Sequence, residues 1–177
     1  TTYGELCGVR PDLTCLGKIV GGGMPLGAVG GRRACMESLA PLGDVYQAGT
    51  LSGNPVAVAA GTAMLRQLVA NPPYAGLEQL AAKLAGGLNA IAAERGLILH
   101  AAQMGAMFTP FFTQGPVRNL NDAKSCDTEM YAKFFRGMLG AGFYLPPSQF
   151  EVAFLSAAHT EADVDRFLSA ATRVLGE

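Results

Sequence analysis

Between Leu16 and Gly31 the chain carries seven glycines and a single lysine, Lys18, set among apolar residues. Glycine weakens helices and strands and adopts backbone conformations closed to other residues. The stretch therefore turns, and other groups can approach its backbone closely. Lys18 has two readings. In one it sits on a glycine-rich turn and extends its ammonium to water. In the other it is held in apolar surroundings, loses its charge easily and attacks carbonyl groups. A nucleoside-triphosphate loop is excluded. That loop places its Gly-Lys after the glycines and follows it with Ser or Thr, whereas Gly17-Lys18 precedes them and Ile19 follows.

The totals bound the rest. A length of 177 residues fits one domain, or one and part of a second. Half of the residues are hydrophobic, enough for a sizeable core. A net charge of -1 leaves no basic excess for nucleic acid or an anionic membrane. Charged residues make up 15% of the chain, against about 25% in ordinary soluble domains. Part of the surface is therefore expected to be covered by another subunit or segment. Cys7, Cys15, Cys35 and Cys126 lack metal-ligand or CxxC spacing and read as reduced thiols of a cytosolic protein. With only His100 and His159 available, no metal site is expected. No apolar run is long enough to span a bilayer.

The opening residues show no helix start, and Val9 to Leu16 reads as a turn at Pro11 entering a short apolar strand. Such a strand suits burial on both faces, as in a parallel sheet. Its expected neighbours are not upstream, so the chain reads as starting inside a larger α/β domain. Arg32 to Leu39 reads as a short amphipathic helix, and Val45 to Ala48 as an extended piece. Asn54 can cap a helix over residues 56–69, with Pro55 at its first position. The start of that helix, with Thr50 and Ser52 beside it, suits either ordinary capping or an anion.

Pro72 and Pro73 interrupt the pattern. A second helix follows from about Ala75 to Glu94, with an apolar stripe at Leu77, Leu80, Leu84, Leu88 and Ile91, stopped by Gly96. Leu97 to Ala101 and Ala106 to Thr113 read as strands, with His100 a sheet residue rather than a ligand. Gln114 to Cys126 reads as a loop. A helix over residues 128–140 is capped by Asp127 or Ser125. Short strands are expected at Phe143 to Leu145 and Val152 to Ser156, on either side of a stiff turn from Pro146 to Glu151. Thr160 and Asp163 suit a capping box for a last helix. Its buried face is Val164, Phe167, Leu168, Ala171 and Leu175. Glu151 is either a solvated glutamate or a group presented by the rigid turn. Without further information the chain reads as a phosphate-binding α/β domain.

The stretch Asp12 to Ala28 resembles the Schiff-base lysine region of the class III, fold-type I pyridoxal phosphate enzymes. Tyr46 to Pro55 and Pro146 to Glu151 narrow the resemblance to the glutamate-1-semialdehyde 2,1-aminomutase branch of that family. The resemblance extends over essentially the whole chain but matches only the C-terminal portion of a family subunit. The fold it implies is α/β: the tail of the large domain over residues 1–72, then a small α+β domain with a short antiparallel sheet over residues 73–177.

By the same resemblance the cofactor is pyridoxal 5'-phosphate or its pyridoxamine form. Lys18 would bond to it and shuttle the proton between the two carbons that exchange the amino group. Gly49 and Thr50 would bind the cofactor phosphate of the neighbouring subunit of a homodimer with shared active sites. Glu151 would line the small-molecule substrate pocket near the amino groups. The net reaction is an isomerisation with no outside amino donor. The family's partner for the pyridine nitrogen, its second phosphate turn, its stacking aromatic ring and its lid would lie upstream of Thr1. The chain alone is thus expected to be inactive. The other readings are a related class III aminotransferase and a non-catalytic dimerisation module. The expected setting is the cytoplasm, or a plastid if a transit segment lies upstream.

Overall fold

A computed structural model of the chain describes residue 4 and residues 7–176. It divides into two compact units, one up to Pro72 and one from Pro73 on.

In the first unit, β1 (Leu13–Leu16) pairs antiparallel with β2 (Ala28–Gly31), from Leu13 opposite Gly31 to Leu16 opposite Ala28. The hairpin loop contains a short 3-10 helix, Lys18–Gly21. A single turn of helix, α1 (Arg33–Met36), follows, in place of the longer helix expected to Leu39. The long helix α2 (Pro55–Ala70) starts as its sequence predicts. The Asn54 side chain accepts from the N–H groups of Val56 and Ala57, and Pro55 fills the first position. Val45 forms an isolated bridge with Leu39, and the next residues lie in no strand.

The expected two-faced burial of β1 is not found. Its partner is antiparallel, and Leu13 and Leu16 remain about half exposed, at 49% each. A strand is buried on both faces only when layers cover both, and the described residues up to Pro72 supply no second layer. Among the described residues of this unit, the buried ones are instead Val20 and Gly21 of the loop and Ala57 and Gly61 of α2.

The second unit is built on α3 (Tyr74–Arg95). Leu84, Leu88 and Ile91 of its predicted stripe are buried, with Leu77 and Leu80 packed at the margin. Gly96 ends it in the left-handed conformation, φ 63°. Then β3 (His100–Met104) and β4 (Met107–Phe111) form a hairpin, and β5 (Ala153–Phe154) pairs on the far side of β4, giving the order β3-β4-β5. At the edge strand β3, the Asn89 side chain donates to the Ala101 carbonyl at 3.0 Å and accepts from its N–H at 2.8 Å. This pairing ties α3 to the sheet and covers part of an otherwise open edge.

α4 (Leu120–Lys124) is a short helix within the segment read as a loop. Its local cap, Asn119 accepting from Asn121 and Asp122, is too short a signal to stand out from turn chemistry. α5 (Thr128–Gly140) is capped by Asp127, and α6 (Glu161–Val174) by the full Thr160–Asp163 capping box. Phe143 to Leu145 joins no ladder. Apolar alternation there reflects packing instead: the Phe143 ring meets Phe167 of α6 edge-on at 5.4 Å. Phe134 and Met138 of α5, Phe108 and Phe112 beside the sheet, and Val164, Phe167, Ala170 and Ala171 of α6 complete the core with α3.

The capping box carries a pH dependence. The Thr160 hydroxyl donates to the Asp163 carboxylate, the Thr160 N–H bonds it too, and Arg166 lies beside it; together they hold the Asp163 carboxyl below its ordinary 3.8. A group lowered in the folded state stabilises above its unfolded pKa and ceases to do so as pH falls through its folded value. Asp163→Asn is therefore expected to lessen the acid loss of helicity below about pH 4, the ordinary carboxylate range. Circular dichroism during acid titration reads it, and an unchanged acid limb would show that Asp163 takes no part.

Candidate active site

Lys18 directly follows β1. Gly17 before it is extended, and Lys18 itself adopts φ 54°, the sole left-handed non-glycine among the described residues. For an L-residue that conformation costs about 1–2 kcal/mol, and residues so held concentrate at functional positions. Its side chain is exposed.

The loop after Lys18 is fixed by contact with α2. Gly22 takes φ 58°, and a Cβ on it would lie 2.7 Å from the Ala60 carbonyl oxygen. Reciprocally, a Cβ on Gly61 would lie 2.5 Å from the Val20 carbonyl oxygen. Two backbones thus meet through paired glycines, and the strained lysine stands on a loop seated on the middle of the helix. Seen from Asn54, that seat is almost two turns into α2, on the order of 9 Å along its axis.

Gly49 and Thr50 lie before the N-terminus of the same helix. The Ser52 N–H donates to the Gly49 carbonyl at 2.9 Å, and the Asn54 N–H to Leu51 at 3.1 Å. This folds the loop back so tightly that a Cβ on Gly49 would lie 2.8 Å from the Ser52 hydroxyl. The expected free N–H groups of the first helical turn are taken by Asn54, and Pro55 has none. Among the described residues the N–H groups of Thr50 and Leu51 have no partner. An anion would therefore find its donors in the loop itself: those two N–H groups and the exposed Thr50 hydroxyl, near the positive end of a 16-residue helix. A phosphate group fits this donor set.

Glu151 belongs to the second unit and is exposed. It ends the turn begun by Pro146. Its N–H donates to the Ser148 carbonyl at 3.1 Å, and the Phe150 N–H to the Ser148 hydroxyl at 3.2 Å. Two residues singled out by no sequence signal frame this turn. Tyr131, 3% exposed, donates its hydroxyl to the Pro146 carbonyl at 2.6 Å. Burial, and secondarily the Glu151 carboxylate, push its phenol up to about 12. Gln149 is 2% exposed, and its side-chain amide has no partner among the described residues. Tyr131 sits on the apolar stripe of α5 with Phe134 and Met138, so by spacing it reads as core. The described residues include no metal-binding cluster of His, Cys, Asp and Glu. None of their helices is long and apolar enough to cross a membrane.

Comparison with known proteins identifies the family. Residues 2–163 match the aminotransferase class-III family. The chain is 53% identical over 171 residues to the glutamate-1-semialdehyde 2,1-aminomutase of Desulfatibacillum aliphaticivorans, covering 97% of this chain and 40% of that protein. It is 54% identical over 172 residues to an enzyme of the same name from Thermus thermophilus, covering 97% and 41%. Among solved structures it is similar to a beta-phenylalanine aminotransferase from Variovorax paradoxus, with a TM-score of 0.88 and 34% identity over 98% of this chain and 40% of that one. A glutamate-1-semialdehyde-aminomutase from Pseudomonas aeruginosa PAO1 in complex with PMP gives a TM-score of 0.84 and 26% identity, covering 98% and 41%. The chain thus spans about 40% of the length of the curated relatives it matches. The lysine at the end of a strand, followed by a loop that meets a helix through paired glycines, is found in a chain that belongs to the class-III aminotransferase family.

Proposed function

We propose that this chain is part of a glutamate-1-semialdehyde 2,1-aminomutase. The enzyme would isomerise glutamate-1-semialdehyde to 5-aminolevulinate, for tetrapyrrole synthesis, using pyridoxal or pyridoxamine 5'-phosphate. The residues up to Pro72 would be the end of a large cofactor-binding domain, and those from Pro73 a small C-terminal domain. The observation that carries the reading is Lys18, the left-handed non-glycine residue of the hairpin loop, which is followed by the Val20 and Gly22 backbone packed on α2. A strained backbone at the one lysine of the unit is explained if its amine must be aimed at a bound carbonyl compound.

When bound, the cofactor supplies an electron sink and stores the amino group. Lys18 would anchor it through Nζ and, once the substrate's amine has released that nitrogen, the free amine would carry a proton from one substrate carbon to the adjacent one. The Thr50 hydroxyl and the N–H groups of Thr50 and Leu51, unpartnered among the described residues, would hold a phosphate, that of the partner subunit's cofactor, with Gly49 keeping the loop tight. The Glu151 carboxylate accepts hydrogen bonds from the substrate's amino group and orients it. The reading includes a homodimer with shared sites; the low charge content and the apolar side chains left exposed in the first unit, among them Leu42 and Tyr46, suit cover by the rest of the subunit or by its partner. The proposed setting is the cytoplasm.

The test uses a full-length subunit carrying these 177 residues, loaded with cofactor and given glutamate-1-semialdehyde. Formation of 5-aminolevulinate without an added amino donor or keto acid is the expected result. A strict need for both would favour an aminotransferase, the reading suggested by the likeness to the Variovorax enzyme. Turnover under neither condition would overturn both. The isolated chain is expected to show none.

A further inference from the structure

We propose that Tyr131 is a positioning residue for Glu151, acting by holding the turn that presents it. This rests on the reading of Glu151 as a substrate-binding group. The turn is stiff, and besides the burial of Leu145 before it and Gln149 within it, few hydrogen bonds tie it to the unit. Pro146 and Pro147 fix two φ angles and remove two donors. The bonds of Phe150 and Glu151 to Ser148 are internal to it. They shape the turn without fixing it to the rest of the unit. On its far side, attachment begins with β5 and the Leu155 N–H, which donates to the Ala106 carbonyl at 2.9 Å. On its near side, the side-chain tie is the Tyr131 hydroxyl on the Pro146 carbonyl, at 2.6 Å.

Tyr131 is well placed for this. Its own N–H bonds to the Asp127 carbonyl at the start of α5. Its ring meets Phe112 edge-on at 6.5 Å, so the hydroxyl is held from both ends of the residue. The phenol has one proton and gives it to Pro146. The raised pKa keeps that proton in place through the neutral range. Tyr131 therefore has no proton to offer the substrate. Direct acid catalysis does not fit this geometry, whereas positioning does.

The experiment is a double-mutant cycle in the full-length holoenzyme: Tyr131→Phe, Glu151→Gln and both together. Tyr131→Phe keeps the ring and removes one hydrogen bond to a neutral acceptor. It is expected to lower kcat/KM roughly three- to tenfold, mainly through KM, the size of one such bond. In the Glu151→Gln background it should add nothing, because the group it positions is gone. A loss of equal size in both backgrounds, or a lowered Tm with kcat/KM unchanged, would show a purely structural tie and overturn the proposal. If Glu151→Gln alone leaves kcat/KM unaltered, the reading of Glu151 fails and the proposal falls with it. A readout independent of turnover is ultraviolet titration of tyrosine in the same proteins, with Tyr131→Phe identifying the band. Glu151→Gln is expected to move that ionisation to lower pH. No movement would place the carboxylate away from the phenol and count against the proposal.

Discussion

Replacing Lys18 with alanine in a full-length subunit is expected to lower turnover by roughly 10²–10⁴-fold, the range of a lost positioned proton-transfer group. Lys18→Arg should fare no better. A guanidinium stays protonated in proteins, so it can neither bond to a carbonyl carbon nor accept the substrate proton. Borohydride reduction of the wild-type protein in the presence of cofactor should leave the label on the peptide containing Lys18. Lys83, Lys124 and Lys133 act as internal controls. Backbone strain gives a second, separable effect. Lys18→Gly removes the amine but tolerates φ 54°, so it should be more stable than Lys18→Ala by about 1 kcal/mol. Turnover of Lys18→Ala within tenfold of wild type, or label spread over the other lysines, would refute the assigned role.

Gly61→Ala is expected to destabilise the first unit, although helix propensity argues the reverse. Alanine in a helix interior is favoured over glycine by about 1 kcal/mol. At Gly61, however, the new methyl would lie 2.5 Å from the Val20 carbonyl oxygen and 2.8 Å from Leu26 Cδ2. The leucine methyl can rotate away; the backbone oxygen cannot without moving the loop that carries Lys18. Overpacking of this kind costs about 1–3 kcal/mol, so the clash outweighs the propensity gain. Gly86→Ala is the control. It lies inside α3, with nothing within 4 Å of the added Cβ. There propensity acts alone, and stabilisation of up to about 1 kcal/mol is expected. Urea unfolding of both variants decides the matter. If Gly61→Ala stabilised as Gly86→Ala does, the backbone contact between loop and helix would be wrong. Slower turnover accompanying the loss of stability would tie that contact to the placement of Lys18.

Much of the helical structure of both units is legible without coordinates because its signals are local. Asn54, Asp127 and Thr160 mark helix starts, since a cap acts within three residues of itself. Gly96 marks a stop, since it needs only its own φ. The stripe of α3 is legible because helical periodicity repeats over many residues. Readings failed where the deciding partner was distant. Phe143 to Leu145 alternates like a strand, yet Phe143 packs on Phe167 instead of entering a ladder. β1 has the composition of a strand buried on both faces, yet it pairs antiparallel with β2 and stays half open.

The site divides in the same way. By itself, the sequence determined that one lysine stands before a run of glycines, that Gly49 and Thr50 precede a capped helix, and that Glu151 ends a proline-stiffened turn. These are properties of neighbouring residues, and local chemistry decides them. The tertiary structure alone decided that Lys18 is left-handed, that Gly22 and Gly61 let two backbones meet, and that Tyr131 reaches Pro146 across 15 residues. Composition and spacing cannot show which backbone will approach which. That depends on where two separately formed elements come to rest, and close packing fixes it to a few tenths of an ångström.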